Sequence, residues 1–339
     1  MLKKLSIICL LGLFIFIGMA FSDKTESQAK TFNWKMSSPY PPGDAANMGC
    51  DVFAKNLEAR SNGQIRITLY QGSLGSPRDA WDMVTSNTVQ LAWTGDLYNP
   101  GRIPITQMVA LPFEVPNVRV AQRVVNELLS AGLLKEMTDN FKPLYFLPTY
   151  PIGLYWKEKK VTKLEDFKGM KVRCGTGLQG QALIALGAST VSLPGSEEYM
   201  SLQTGVIDAT ITGINIGLHR KLSEVCKYAM KEPPLFFGIL FMMMNKETWN
   251  GIPQDLQKLI VDEANGISNS QIEEIVNQEA AMWDQFSKMV EVYSLSQEEQ
   301  ARMKDAIGDL PEKHAAELSA KGLPGNEALQ LIRKVISQN

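Results

Sequence analysis

LEDFKGMKVRCGTGLQG, residues 164–180, reads as a loop, a short strand and the start of a helix, with Arg173 near the strand's carboxyl end. Side chains alternate along a strand, so Lys171 and Arg173 share one face while Val172 and Cys174 share the other. Ligands of open α/β sheets sit just beyond the carboxyl ends of strands. Arg173 is therefore a candidate grip for an anion, since its planar fork suits bidentate recognition of a carboxylate. The competing reading is a surface strand arginine paired with a nearby carboxylate.

The glycines that follow, Gly175, Gly177 and Gly180, match a GxGxxG pattern placed after a strand and at a helix start. That is the context of a dinucleotide fingerprint, and Glu197 and Glu198 follow at about the spacing of a ribose-binding acid. This gives one alternative function, a secreted dinucleotide-dependent oxidoreductase. The mid-chain position and the signs of export below speak against it. A helix start attracts any anion.

Outward from this stretch the chain alternates strands and helices, which argues α/β. TFNWKMSS (31–38), QIRITLY (64–70) and VQLAW (89–93) read as strands, with helices from Asp44 to about Ser61 and from Pro77 to Ser86. A helix near Arg119–Leu134 and a strand near Leu144–Leu147 follow. Beyond Tyr150 come strands at IGLYWKEK, TVSL, IDATITG and EVCKYAM, then the apolar run LFFGILFMMMN (235–245). Continuous apolar runs of this length mark a central strand buried on both faces, so Met242–Met244 is read as core and not as a cofactor cluster. From Pro253 the spacing turns helical as far as about Val290, a span of about 55 Å if unbroken, with a kink expected at Gly266–Ser268. Two or three amphipathic helices fill 296–337, separated at Leu310–Pro311 and at Gly322–Pro324.

With 339 residues the chain has material for two domains at roughly 150 residues each. It is 45% hydrophobic and 21% charged with a net charge of −2, so it offers no bulk attraction to nucleic acid or anionic membranes. Lys3 and Lys4, the apolar run from Leu5 and the small residues near Ala20 make a secretory signal over 1–22. A membrane anchor is the weaker reading, because the run is at the short limit of a span. Cys50, Cys174 and Cys226 remain in the mature chain. They read as small buried residues, with Cys174–Cys226 the one pair worth testing as a disulfide. With only His219 and His314 and no Cys/His cluster, no metal site is expected. His219, Arg220 and Lys221 read as a solvated helix end. No GxSxG, HExxH or paired acid–base constellation points to an enzyme, and no cofactor is expected.

Together EDFKGMKVR (165–173), SLQTGVIDATITG (201–213), MMMNKETWNGIPQDLQKLI (242–260) and LYQGSLGSPRDAWDMVTSNTVQLAW (69–93) resemble the solute-binding proteins of tripartite ATP-independent periplasmic (TRAP) transporters, DctP type. The resemblance implies a two-lobe periplasmic binding protein fold with a strand hinge and one long helix spanning both lobes. With the breaks at 148–151 and 233–234 it gives one lobe of 31–149 plus 236–278 and another of 150–235 plus 279–339. It implies a monomeric periplasmic receptor, with no catalytic activity, that closes on a small organic acid and delivers it to a TRAP membrane permease. A receptor feeding a membrane sensor kinase is a further alternative. The family's carboxylate-pairing arginine falls on Arg173. Ile152 stands where sugar-acid binders carry a second arginine, Thr212 (with Asn215 nearby) where they carry an amide, and Pro77 where they carry an acid. Those departures leave Arg173 as the expected sole strong cation, with Trp93, Tyr40, Tyr155, Trp156 and Phe237 lining a more apolar pocket. The expected ligand is a small monocarboxylate with an apolar or aromatic body.

Overall fold

The computed structural model describes residues 30–338 apart from Met48, Pro100, Thr176 and the side chain of Ala45, so the signal-peptide reading of 1–22 lies outside the described residues. From β1 (Phe32–Ser38) the chain runs through α1 (Cys50–Arg60), β2 (Ile65–Gln71), α2 (Asp79–Thr85) and β3 (Leu91–Gly95). β1 shows the simplest sequence logic. Phe32, Trp34 and Met36 are buried while Asn33 and Lys35 face outward, the period of a strand with one apolar face. Next come α3 (Val118–Ser130), the single turn α4 (Lys135–Thr138) and β4 (Phe141–Pro148). Asn117 caps α3, accepting the Val120 N–H at 3.0 Å.

The middle of the chain supplies β5 (Ile152–Trp156), β6 (Lys171–Cys174), α5 (Leu178–Ala185), β7 (Ser189–Ser192), α6 (Glu198–Thr204), β8 (Ala209–Gly213), α7 (Ile214–His219) and β9 (Tyr228–Glu232). The remainder is β10 (Ile239–Asn245), α8 (Lys246–Asn250), α9 (Gln254–Ser287), β11 (Glu291–Ser294), α10 (Gln297–Ile307), α11 (Leu310–Ala320) and α12 (Gly325–Ser337).

The strands form two sheets, ordered β2-β1-β3-β10-β4 and β11-β9-β5-β8-β6-β7. β10 lies between β3 and β4, antiparallel to both, and all seven of its residues are buried, as the methionine-rich run requires. In the second sheet β6 is parallel to β7 and β8, so the carboxyl ends of all three strands point the same way.

The chain passes between the sheets three times, from β4 to β5, from β9 back to β10 and through α9 to β11, and the first two passages are stitched together. Ile152 bridges Phe236, Thr149 donates its N–H to Gly238 O at 2.9 Å, and Gly238 donates to Thr149 Oγ1 at 3.1 Å. α9 is a single helix of 34 residues, about 50 Å long, and continues through Gly266 without the expected break. Its first half belongs to the first sheet's side: Glu263 accepts from Asn56 and Arg60 of α1, and Ser268 donates to Phe146 O of β4 at 3.0 Å. Its last turns reach the second sheet, where Trp283 stacks on Tyr155 of β5 with centroids 6.0 Å apart.

One part of the lobe expectation needs correction. α10 packs beside the second sheet, with Glu299 accepting the Leu164 N–H at 2.9 Å, but α12 returns to α3. Its buried face of Ala328, Leu329, Ile332 and Val335 closes on that helix, and Arg333 pairs with Glu114 at 3.4 Å. The expected break near Leu310–Pro311 is present one step earlier, at Gly308–Asp309 between α10 and α11, and Leu310–Pro311 opens α11 because proline fits a first helical turn where no N–H is needed.

Candidate functional site

The carboxyl ends of β3, β6, β7 and β8, with the paired crossing segments, surround a cavity of about 740 Å³. From the first sheet's side it takes Tyr40, Asp44, Pro77 and Asp96–Tyr98; from the second, Arg173, Thr212, Asn215, His219 and Arg220. Its apolar wall includes Ile152, Ile211 and Leu240.

β6 delivers Arg173 as its period predicts, with Val172 and Cys174 buried on the opposite face. The guanidinium is only partly engaged. Nε donates to Leu193 O at 3.1 Å and Nη1 donates to Glu198 Oε1 at 2.5 Å, and no described residue takes Nη2. Glu198, in the first turn of α6, is fully buried: its side chain is 0% exposed against 13% for Arg173. It also accepts from Arg220 Nη1 at 2.9 Å and from Thr210 Oγ1 at 3.3 Å. A buried carboxylate costs several kcal/mol unless paired and hydrogen-bonded, and these three donors meet that requirement.

Arg220 is the residue that the sequence reading missed. The expected sole cation has a partner on the same carboxylate, and the supposed solvated helix end turns into the cavity. Burial pulls its pKa down, but the Glu198 carboxylate outweighs that and holds the guanidinium above its ordinary range. Gly195 makes room for it, since a Cβ there would lie 2.5 Å from Arg220 Nη1. Only Nη1 of Arg220 is taken by a described residue, so both arginines keep donors for a third party. Beside them His219 Nε2 faces Asp44 Oδ2 at 3.6 Å, a pair that joins the two sides of the cavity. No local signal marked Arg220 and Glu198 as partners, because they meet only when the ends of α6 and α7 converge.

Of the other predicted site residues, Tyr40, Thr212 and Asn215 line the cavity. Burial, then the neighbouring Tyr98 hydroxyl, pushes the Tyr40 phenol well above its ordinary pKa. Trp93, Tyr155, Trp156 and Phe237 do not line it, and all four are core residues. Trp93 packs on Tyr145 with centroids 5.4 Å apart and donates Nε1 to Ala46 O at 2.8 Å. Tyr155 is held between Trp283 and Phe286 under α9.

Asp96 lies at the base of the first sheet's side. Its Oδ1 accepts the Ile239 N–H at 3.1 Å, while Oδ2 is buried with no partner among the described residues. Burial raises this carboxyl to about 7 despite the backbone N–H groups that favour its charge.

The glycine pattern is a backbone requirement at one position only. Gly177 opens α5 with a φ of 77° that favours glycine, while a Cβ on Gly175 or Gly180 would meet only ordinary contacts at 3.4–3.7 Å. Glu198, one of the two candidate ribose acids, is committed to two arginines, which weakens the support for a dinucleotide. Cys174 and Cys226 are buried free thiols and do not bridge.

The sequence profile of the bacterial extracellular solute-binding proteins of family 7 (DctP) matches residues 36–318. A monocarboxylate 2-oxoacid-binding periplasmic protein of a Nostoc species is 27% identical over 67% of this chain, and the match spans 63% of that protein's length. The C4-dicarboxylate-binding periplasmic protein DctP of Rhodobacter capsulatus is 25% identical over 87% of this chain and 90% of its own. Among solved structures, a marine metagenome TRAP solute-binding protein specific for aromatic acid ligands superposes with a TM-score of 0.82 at 24% identity. That match covers 91% of this chain and 99% of the other. A TRAP solute-binding protein of Rhodoferax ferrireducens with copurified benzoate gives 0.79 at 22% identity, covering 91% and 98%. At these identities the superpositions speak for the fold.

Proposed function

Because the chain belongs to the bacterial extracellular solute-binding proteins of family 7, a family of receptors and not of enzymes, we propose that it captures a small organic acid in its cleft and hands it to a TRAP membrane permease. Arg173 carries this reading: a partly buried guanidinium at a strand's carboxyl end, with one donor left open toward a cavity of about 740 Å³. That volume suits a small ligand, for which pockets run about 300–1,000 Å³. In this reading the ligand carboxylate docks on Arg173, with Thr212, Asn215 and Tyr40 beside it. Its body lies against Ile152, Ile211 and Leu240, which favours an apolar or aromatic acid over a polyhydroxylated one. The ligands named for two of the similar proteins, a 2-oxo monocarboxylate and aromatic acids, fit the same description, whereas the C4-dicarboxylate of the Rhodobacter relative does not.

The two sheets and their helices act as lobes, one built on 31–149 plus 236–278 and the other on 150–235 with α10, and the paired crossing strands are the hinge. Closure excludes water, which strengthens the carboxylate–arginine pair and makes the closed state the one that ligand selects. The receptor works as a monomer in the periplasm after removal of its signal. No described helix is long and apolar enough to cross a membrane.

A thermal-shift panel of aliphatic, aromatic and 2-oxo acids, each beside its neutral amide, tests the proposal. At least one acid raises the unfolding midpoint and its amide does not. Equal stabilisation by the amides, or a nicotinamide cofactor that copurifies, would overturn it.

A further inference from the structure

Two arginines and one carboxylate form the charged wall of the cavity, and their sum is one positive charge. Glu198 is the unusual member. It is 0% exposed, so it meets no solvent and no ligand, yet it holds Nη1 of both Arg173 and Arg220. The donors that remain belong to a pair of guanidiniums already half neutralised. The other carboxylates near the cavity add no positive charge to this sum. Asp44 lines the cavity 3.6 Å from His219 Nε2 and acts on Arg220 from across it, so its negative charge lowers the sum further, while Asp96 is a buried acid whose Oδ1 caps the Ile239 N–H. An acid docking here finds at most one charge to neutralise. A second ligand carboxylate would be enclosed with no cation left for it, which low-dielectric surroundings penalise.

We propose that Glu198 is a specificity-determining residue that sets the charge of the ligand, by cancelling one of two arginines so that the cleft accepts monoanions and rejects dianions of the same shape. This inference rests on the receptor reading above and adds the ligand's charge and the residue that fixes it. Glu198 touches no ligand and acts through Arg173 and Arg220. The preference for one negative charge therefore belongs to the cluster as a unit, and it changes whenever the cluster's charge changes.

The test uses two isosteric pairs that differ only in charge: 3-carbamoylbenzoate against isophthalate, and succinamate against succinate. Titration calorimetry at pH 7 gives the ratio of dianion to monoanion Kd for each pair. In the parent protein at least one pair binds with the monoanion preferred about 10-fold or more. Glu198→Gln raises the cluster to two positive charges and shrinks that preference about 10-fold or inverts it, whereas Arg220→Gln lowers it to zero charge and widens the preference. Glu198→Gln combined with Arg220→Gln restores one charge and with it the parent's preference. A purely structural role for Glu198 would change both affinities of a pair together and leave the ratio alone. Should Glu198→Gln fail to fold, the other two variants carry the test. A ratio that stays constant across the folded variants overturns the proposal. So does a parent that binds both members of a pair equally, and that result leaves the receptor reading standing. A parent that binds none of the four acids, and no acid of the panel above, removes the receptor reading and this inference with it.

Discussion

Replacing Arg173 by alanine separates its place as counterion to Glu198 from its proposed grip on the ligand. The Glu198 carboxylate accepts three bonds, from Arg173 at 2.5 Å, Arg220 at 2.9 Å and Thr210 at 3.3 Å. After truncation the last two remain, so the buried charge keeps a cationic partner. The stability lost is mainly that of the charge-assisted bond to Glu198, about 1.5–3 kcal/mol, because the Leu193 carbonyl that Nε also held lines the cavity and can turn to water. The ligand has less in reserve. Its carboxylate would enter a closed cleft without its principal partner, a loss of about 3–5 kcal/mol, or roughly two to three and a half decades in Kd. Calorimetry with the acid that most stabilises the parent, run beside urea unfolding, measures both quantities on one preparation. The expected result is a large affinity loss with a smaller stability loss. An unchanged Kd with stability reduced by several kcal/mol would refute the reasoning and leave Arg173 as the strand arginine paired with a nearby carboxylate.

Three further substitutions test other parts of the molecule. Gly153→Ala puts a Cβ 2.8 Å from Met230 O and 3.2 Å from the Trp283 ring, and overpacking there lowers stability by about 1–3 kcal/mol in thermal or urea unfolding. Trp93→Phe leaves the Ala46 carbonyl without its indole donor and costs about 1–3 kcal/mol of stability, while calorimetric ligand affinity stays at the parent's value because Trp93 is core. Asp96→Asn changes how stability depends on pH. Burial raises this carboxyl from 3.8 to about 7, so the folded chain keeps a proton that the unfolded chain releases. Its contribution is therefore greatest below pH about 4 and is lost as pH rises toward 7. The asparagine variant lacks that slope and gains up to about 4 kcal/mol on the parent above pH 8. Unfolding midpoints from pH 4 to 8 that run parallel for the two proteins would contradict the assignment.

The fold was legible wherever one period governs an element. β1 shows its buried face at every second residue, β10 shows two buried faces as an unbroken apolar run, and α9 carries its apolar stripe from Leu256 to Phe286. Gly266 did not interrupt α9, because glycine lowers helix propensity by only about 1 kcal/mol and packing on both sheets' sides outweighs that. α12 shows where such reading stops. Its stripe announces that a face is buried, but an amphipathic helix does not name its partner, and chain order suggested the wrong one.

The candidate site divides along the same line. Arg173 could be placed because β6 alternates, with buried Val172 and Cys174 on one face and a charged pair on the other. Trp93 and Tyr155 could not, because every residue of β3 and β5 is buried, and in such strands parity does not distinguish a cavity wall from a core. Glu198 and Arg220 escaped for a different reason. Charges read one at a time along a sequence look like solvated ends, whereas a buried guanidinium requires a carboxylate and a carboxylate so enclosed requires more than one donor. That requirement was available from Arg173 alone, since an arginine at the mouth of a closed cleft needs a partner when the ligand is absent. The partner it found is already shared with a second arginine. What faces the ligand is thus the small difference left by three large charges, and one substitution in any of them shifts that difference by a whole unit.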